Sequence, residues 1–210
     1  IKDGFIESLE TPIVRYLPEL TDSAYEGVPV HQLLTMTSGA DWNEDYTNPD
    51  ADVARFFEPH DTGGMDPALP DMRQLKRAAE PGTRWHYSTG ETQLIGVLVR
   101  RATGKPLADY LSEKLWSAYG MERDAGWMID ESGQEASGCC VMASLRDWGR
   151  VGQFVLDGGK VGNSAILPDG WLSQATSKQA DYGEAGEGYG FQWWTYDDGR
   201  YAAHGIFGQS

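Results

Sequence analysis

Residues 84–96 read RWHYSTGETQLIG, and within them Ser88-x-x-Glu91 stands just before an apolar run. A serine followed three residues later by a glutamate marks a capped helix start. The hydroxyl accepts from an early helical N–H, and the glutamate reaches back to the serine's own N–H. Beyond the cap, Leu94, Ile95, Val97, Leu98 and Val99 are apolar nearly all round, which predicts a central, buried helix ending at Gly104. Other elements must then wrap around this helix. Tyr87 sits one residue outside it, at the positive end of the helix dipole, where the phenolate is favoured. An ordinary tyrosine titrates near pH ~10 and is a poor base at neutral pH. Beside a lysine, a tyrosine so placed becomes a candidate proton carrier. It can equally pack as a hydrophobic staple.

The chain before this helix is punctuated. Residues 1–4 read as the end of a helix, and Pro12 and Pro18 prevent a long helix over residues 9–20. Pro29 opens a helix with Val30, Leu33 and Leu34 on one face and Gly39 at its end. His31, near that start, reads as a surface or cap residue. Residues 41–80 are long, polar and rich in Pro, Gly and Asp, the composition of a functional loop or a solvated insertion. Trp42 and Tyr46 stand in it among Asp41, Glu44 and Asp45. Either aromatic could pack, or face a ligand.

After Gly104, Pro106 restarts a helix with Leu107, Tyr110, Leu111 and Leu115 at helical spacing. Residues 22–144 thus read as an all-helical lobe. Ser144 and Asp147 cap a further helix running to Gly158-Gly159, with Gly149 and Gly152 placed for close packing against a neighbour. A shorter helix is expected over residues 168–175. YGFQWWTY then alternates as one strand, with Tyr189, Phe191 and Trp193 on one face, and Asp198-Gly199 turns it into a partner strand over residues 200–204.

Composition narrows the function classes. A net charge of -15 disfavours nucleic acid and anionic membranes as partners. No stretch is long and apolar enough to span a bilayer. Cys139 and Cys140 are adjacent, a spacing that strains a bridge, so two small buried thiols are expected. None of the 4 histidines has metal-site spacing, and no cofactor is implied.

Taken in order, HQLLTMTSGADW, PGTRWHYSTGETQLIG, GYGFQWW and AAHGIFGQS resemble the penicillin-recognising serine hydrolases over nearly the whole chain. That family includes class C β-lactamases, D,D-peptidases, esterases and 6-aminohexanoate-dimer hydrolases, the last being the branch whose pattern looks nearest. The resemblance implies an α+β fold of β-lactamase/D,D-peptidase type, an antiparallel sheet flanked by helices plus an all-helical lobe, incomplete in these residues. It divides the chain into residues 1–21, the tail of the nucleophile helix and a connection to the helical lobe; 22–144, that lobe with the active-site loop and the Tyr87 motif; and 145–210, the helix and strand part of the α/β lobe.

The family's nucleophile lies in a Ser-x-x-Lys motif, its catalytic tyrosine in Tyr-x-Asn, and a Lys-Thr-Gly strand lines the site. Tyr87-Ser88-Thr89 takes the Tyr-x-Asn place, with Thr89 instead of the asparagine. By this resemblance Tyr87 relays protons, and Tyr46 matches a loop tyrosine that assists catalysis. Thr89, Trp42, His204 and Gly205 line the substrate, and the backbone near Ile206 and Phe207 offers an oxyanion donor. The implied partner is a small ester or amide. HGIFGQ lacks the Lys-Thr-Gly that would hold a β-lactam carboxylate, which argues for an esterase or amidase over a β-lactamase, with a class C β-lactamase or D,D-carboxypeptidase as the alternative. A non-catalytic binding or sensor module is the rival reading, because fold does not settle function.

No Ser-x-x-Lys occurs in the 210 residues, and the opening residues resemble the family's segment just after the nucleophile helix. The chain is therefore expected to be an internal piece, inactive alone, with its nucleophile and any targeting signal upstream. Bacterial cytoplasm and periplasm both stay open as compartments.

Overall fold

The computed structural model describes residues 1–56, 58 and 66–209. Much of the polar segment after residue 56 lies outside these. Residues 1–4 form a turn rather than a helix end: Gly4 N–H donates to the Ile1 carbonyl at 2.9 Å. Two short 3-10 turns, Ile13–Arg15 and Pro18–Leu20, carry the connection, as the prolines require. Ile13, Leu17 and Leu20 are fully buried there.

Helix α1 spans Val30–Leu34, shorter than expected, with Pro29 as its N-cap. Helices α2 (Asp52–Phe56) and α3 (Ala68–Gln74) come next. Helix α4 is the long one, Thr89–Thr103, ended by Gly104 in the left-handed conformation. It packs against α1, α2 and α3. Leu94, Val97 and Leu98 are buried, whereas Ile95 and Val99 are half-buried, so the helix is central without being enclosed on every side. Two of its glycines are required by close approach. A Cβ on Gly90 would overlap Met72 of α3, and one on Gly96 would overlap Ser137.

Helix α5 (Leu107–Leu111) starts after Pro106 and continues as a π turn over Ser112–Trp116. Pro106 offers no side-chain cap. Buried Glu135 supplies one from elsewhere, accepting from Ala108 N–H at 2.9 Å. The stretch is not all-helical. Strands β1 (Gly126–Trp127) and β2 (Val141–Met142) pair antiparallel within it. Between them, Cys139 and Cys140 are disulfide-bonded to each other and half-buried, which corrects the expectation of two free thiols. Cys140 takes φ +75°, a left-handed turn that lets adjacent residues bridge.

Helix α6 (Leu145–Leu156) begins at Ser144 as expected. Asp147 does more than cap it. Fully buried, it also accepts from the backbone N–H groups of Glu122 and Arg123 at 2.6 and 3.2 Å. Gly149 and Gly152 do not pack closely on anything. Nothing among the described residues lies within 4 Å of a Cβ built at either, and Leu145 on the same face is 88% exposed. A hairpin of β3 (Lys160–Val161) and β4 (Ser164–Ala165) leads to α7 (Trp171–Ala175).

YGFQWWTY is not one strand. β5 (Glu187–Tyr189) and β6 (Trp194–Tyr196) are antiparallel partners, with Tyr189 opposite Trp194, and the chain turns between them. The hairpin expected at Asp198-Gly199 is present, with Trp194 opposite Ala202 of β7 (Tyr201–Ala202), but β7 stops before His204. Gln192 makes the turn at φ +65°, a conformation rare for a non-glycine residue. Its amide explains why. Gln192 N–H donates to the Leu34 carbonyl at 3.0 Å, and Nε2 to the Leu33 and Leu34 carbonyls at 3.3 and 3.2 Å. Its Oε1 accepts from Thr92 Oγ1 at 2.8 Å. One side chain thus ties the sheet to the end of α1 and to α4. Gln192→Ala keeps the turn but removes these side-chain bonds. It should lower stability by about 1–2 kcal/mol, read from urea midpoints at constant m; an unchanged midpoint would show that the tie carries no stability.

Candidate active site

The loop ahead of α4 is shaped by its own short polar side chains. Asn43 Oδ1 accepts from Asp45 N–H at 3.0 Å, Asp45 Oδ1 from Thr47 N–H at 2.9 Å, and Asn48 Oδ1 from Asp50 N–H at 2.9 Å. These successive Asx turns are favoured by the run NEDYTNPD, and from them Glu44 and Tyr46 both reach the start of α4.

Glu44 is the hub there. Its Oε2 accepts from Thr89 N–H at 3.0 Å and from Trp42 Nε1, and its Oε1 accepts from Tyr46 Oη at 2.8 Å and from Thr89 Oγ1. Tyr46 Oη also lies 3.3 Å from Thr89 Oγ1. Three of the expected site residues, Tyr46, Thr89 and Trp42, are therefore gathered by a fourth that no sequence motif marks. The signal for it is faint: a glutamate two residues before a tyrosine in an acidic loop. Trp42 serves as a support and not as a lining residue. It is 3% exposed, packs edge-on against Phe56, and commits its indole N–H to Glu44.

Tyr87 lies beside this hub and stacks on Trp194, with ring centroids 6.1 Å apart and planes 16° from parallel. Trp85 contacts Tyr87, Tyr182, Tyr189 and Trp194, closing an aromatic wall. The expectation that the helix dipole favours the Tyr87 phenolate is corrected. Burial raises the Tyr87 pKa, and the Glu44 charge adds to it. Burial is the larger cause, and the geometry adds to it: the first amide of α4 donates to Glu44, so a carboxylate already occupies the positive end of the helix. Tyr46 is pushed up to about 12, first by burial, with Glu44 adding and Thr89 opposing.

The cap at Ser88 is only half of the expected box. Ser88 Oγ accepts from Glu91 N–H at 3.2 Å. Glu91 does not reach back; its Oε1 accepts from Ser38 Oγ in the interior, and it is 2% exposed. Burial drives its carboxyl up to about 8, opposed by Ser38 and Tyr25.

His204 meets the wall from the sheet end. Its Nε2 lies 2.8 Å from Tyr196 Oη, and its ring is tilted against Trp194 at 6.5 Å. A series of ring contacts therefore joins Tyr87, Trp194 and His204. Beyond it the chain turns: Gly205 N–H donates to the Gln209 carbonyl at 2.9 Å and Gly208 N–H to the Gly205 carbonyl at 3.0 Å. Ile206 and Phe207 are 60% and 91% exposed on that turn. The opposite flank is firmer. Gly138 packs on Thr89, its N–H donates to Gln93 Oε1 at 3.1 Å, and the Cys139–Cys140 bridge comes directly after it.

The fold and the tyrosine cluster define a class. A family model described as Beta-lactamase matches residues 4–210, so the chain belongs to the beta-lactamase family. It is 29% identical over 229 aligned positions to 6-aminohexanoate-dimer hydrolase of Paenarthrobacter ureafaciens, covering 100% of this chain and 57% of that protein. It is 33% identical over 132 positions to Esterase EstB of Burkholderia gladioli, covering 59% of this chain and 33% of that protein. A solved structure of a candidate 6-aminohexanoate-dimer hydrolase from Bacillus anthracis superposes with a TM-score of 0.77 at 27% identity, over 99% of this chain and 55% of that one. A penicillin binding protein from Bacillus halodurans shares the fold at a TM-score of 0.68 and 18% identity, over 92% of this chain and 62% of that one. The chain thus spans somewhat over half the length of the full relatives it matches end to end. No described helix is long and apolar enough to cross a membrane.

The Glu91 carboxyl gives a stability prediction with a definite sign. It keeps its proton to about pH 8 in the fold but loses it near 4.5 when unfolded. Between those values the folded state binds the extra proton, so stability falls as pH rises. Glu91→Gln cannot titrate. The wild-type midpoint should therefore drop relative to the Gln variant between pH 5 and 8, and a gap that stays constant across that range would refute the assignment.

Proposed function

We propose that this chain supplies the tyrosine side of an acyl-enzyme serine hydrolase site acting on small ester or amide substrates. The serine and lysine of the family's Ser-x-x-Lys are then contributed by a segment other than these 210 residues. The observation that carries the reading is the placement of Tyr87. Tyr87 stands directly before the N-cap Ser88, its ring is stacked on Trp194, and it feels the charge of Glu44 in the neighbouring Glu44–Tyr46–Thr89 cluster. Tyr87 takes the proton of the attacking serine and passes it to the leaving group, then repeats the transfer with water. Burial and Glu44 both oppose its phenolate, so an adjacent ammonium is needed to bring it into range. The names of the relatives, an amide-dimer hydrolase and an esterase, support ester or amide bonds as the target. His204 closes the leaving-group side, and no Lys-Thr-Gly is present to hold a β-lactam carboxylate.

The test uses the full-length protein. A fluorophosphonate should label one serine, and p-nitrophenyl butyrate should be hydrolysed far faster than a chromogenic cephalosporin. Tyr87→Phe keeps the ring and its stack on Trp194. General acid–base groups contribute about a hundredfold to ten-thousandfold, so kcat should fall by that order while the thermal midpoint barely moves. Retained activity in Tyr87→Phe would reduce the tyrosine to packing. Failure of any serine to label would favour a binding module.

A further inference from the structure

The Cys139–Cys140 bridge has no part in the hydrolase reading, yet the segment carrying it is held from two sides. On one side is α4. Ser137 Oγ donates to the Thr92 and Gln93 carbonyls at 3.4 and 3.2 Å, Gln93 Nε2 donates to the Glu135 carbonyl at 3.1 Å, and Gly138 N–H donates to Gln93 Oε1 at 3.1 Å. On the other side, Trp127 of β1 and the residue after it hold both cysteines by their carbonyls. Trp127 Nε1 donates to Cys139 at 3.2 Å and Met128 N–H to Cys140 at 3.2 Å. A Cβ on Gly138 would stand 3.0 Å from Thr89 Cγ2 and 3.1 Å from the Thr89 carbonyl oxygen. The backbone just before the bridge therefore lies on the residue whose N–H and hydroxyl bind Glu44.

We propose that Cys139–Cys140 is a site of thiol–disulfide exchange with dithiols, and that the closed bridge seats Gly138 on Thr89 while the open pair releases it. The exchange stands without the hydrolase reading; its effect on turnover rests on that reading. Neighbouring cysteines place their Cα atoms 3.7 Å apart, closer than the about 4.4–6.8 Å of ordinary bridges, and a bond so constrained is more easily reduced. Both residues are half-buried, within reach of a small thiol, and the 210 residues hold no third cysteine with which either can re-pair. A thiolate of the dithiol attacks one sulfur, forms a mixed disulfide and releases the other cysteine as a thiolate, which takes up a proton. The second thiol of the reductant then attacks the mixed bond, leaves as part of a cyclic disulfide and frees the first cysteine. Two electrons and two protons pass to the pair, and a disulfide oxidant reverses the sequence. While the ring is closed, Cys140 is held at φ +75°, a region rare for residues other than glycine. Once it opens, Cys140 is free to leave that region. Its carbonyl then turns from Met128 N–H, and Gly138, two residues back, loses its fixed place against Thr89 and Gln93.

The experiment treats the folded full-length protein with dithiothreitol, alkylates it with iodoacetamide and maps the label by peptide mass. Both Cys139 and Cys140 should be alkylated after reduction and neither before it. Reduction should speed amide hydrogen exchange at Gly138 and Thr89, and oxidised glutathione should restore protection. On p-nitrophenyl butyrate, kcat/KM should fall by about fivefold or more, the lower end of ordinary coupling between sites, and recover on reoxidation. Cys139→Ser/Cys140→Ser should match the reduced wild type and ignore dithiothreitol. Cys139→Ser/Cys140→Gly should keep the oxidised level of activity, because glycine holds the turn without a bridge. Cysteines that alkylate only after denaturation would overturn the exchange. Unchanged hydrogen exchange at Gly138 and Thr89 in the reduced protein would overturn the release, as would equal activity loss in the two double variants. If the protein hydrolyses no ester in either state, the hydrolase reading fails by itself, and the alkylation and hydrogen-exchange results still decide this proposal.

Discussion

The first amide of α4 needs an acceptor, and Glu44 provides it from 45 residues upstream. A helix start leaves its early N–H groups unpaired, and here Ser88 satisfies one while a loop carboxylate satisfies another. Because Glu44 also binds Trp42, Tyr46 and the Thr89 hydroxyl, one side chain fixes where the loop lies relative to the helix. Both tyrosines inherit their environment from it. Each has its phenolate disfavoured by the same negative charge.

Helix α4 can hold this arrangement because its other side is clamped. Gly90 lets Met72 and Trp42 approach the first turn, and Gly96 lets Ser137 approach the next. Gln93 then binds Gly138, so the segment carrying the Cys139–Cys140 bridge is seated on the same turn as Thr89. The buried Glu91 faces inward from this turn to Ser38. A carboxyl kept neutral by burial can sit in such a core without the cost of a bare charge.

The features legible in the sequence are local ones. Ser88, Gly104, Pro106, Ser144 and Asp198-Gly199 act on their own neighbours, and each marks the boundary or turn expected of it. The departures come from partners distant in the chain. Glu91 fits a capping box by spacing, yet Ser38, 53 residues away, competes for its carboxyl. YGFQWWTY alternates like a strand, but the α1 carbonyls draw Gln192 into a left-handed turn. Gly149 and Gly152 look like packing glycines and instead lie on an exposed face beside Leu145. Tyr87, Tyr46 and Thr89 are legible from motif order. Glu44, which bonds to Tyr46 and Thr89, is not, because no short-range pattern distinguishes it from the other acids of its loop.

The electrostatics of Tyr87 limit how far these residues can act by themselves. A phenol shielded from water and placed near a carboxylate holds its proton more tightly than a free tyrosine. As a base at neutral pH it would be worse than its side chain in solution, where the phenolate is already scarce. The same arrangement is well suited to giving a proton up only when a strong base develops beside it, as a departing amine does. A cation introduced next to the phenol reverses the balance, since an opposite charge within about 4–6 Å lowers a pKa by 1–3 units. Under the proposed hydrolase reading, Glu44 and that cation would hold Tyr87 between them, and its proton affinity would follow the charge that builds and decays at the reacting centre. The half-buried rings of Trp85 and Trp194 packed on Tyr87 would add to this coupling, because a charge beside apolar surface is screened less than one in open water.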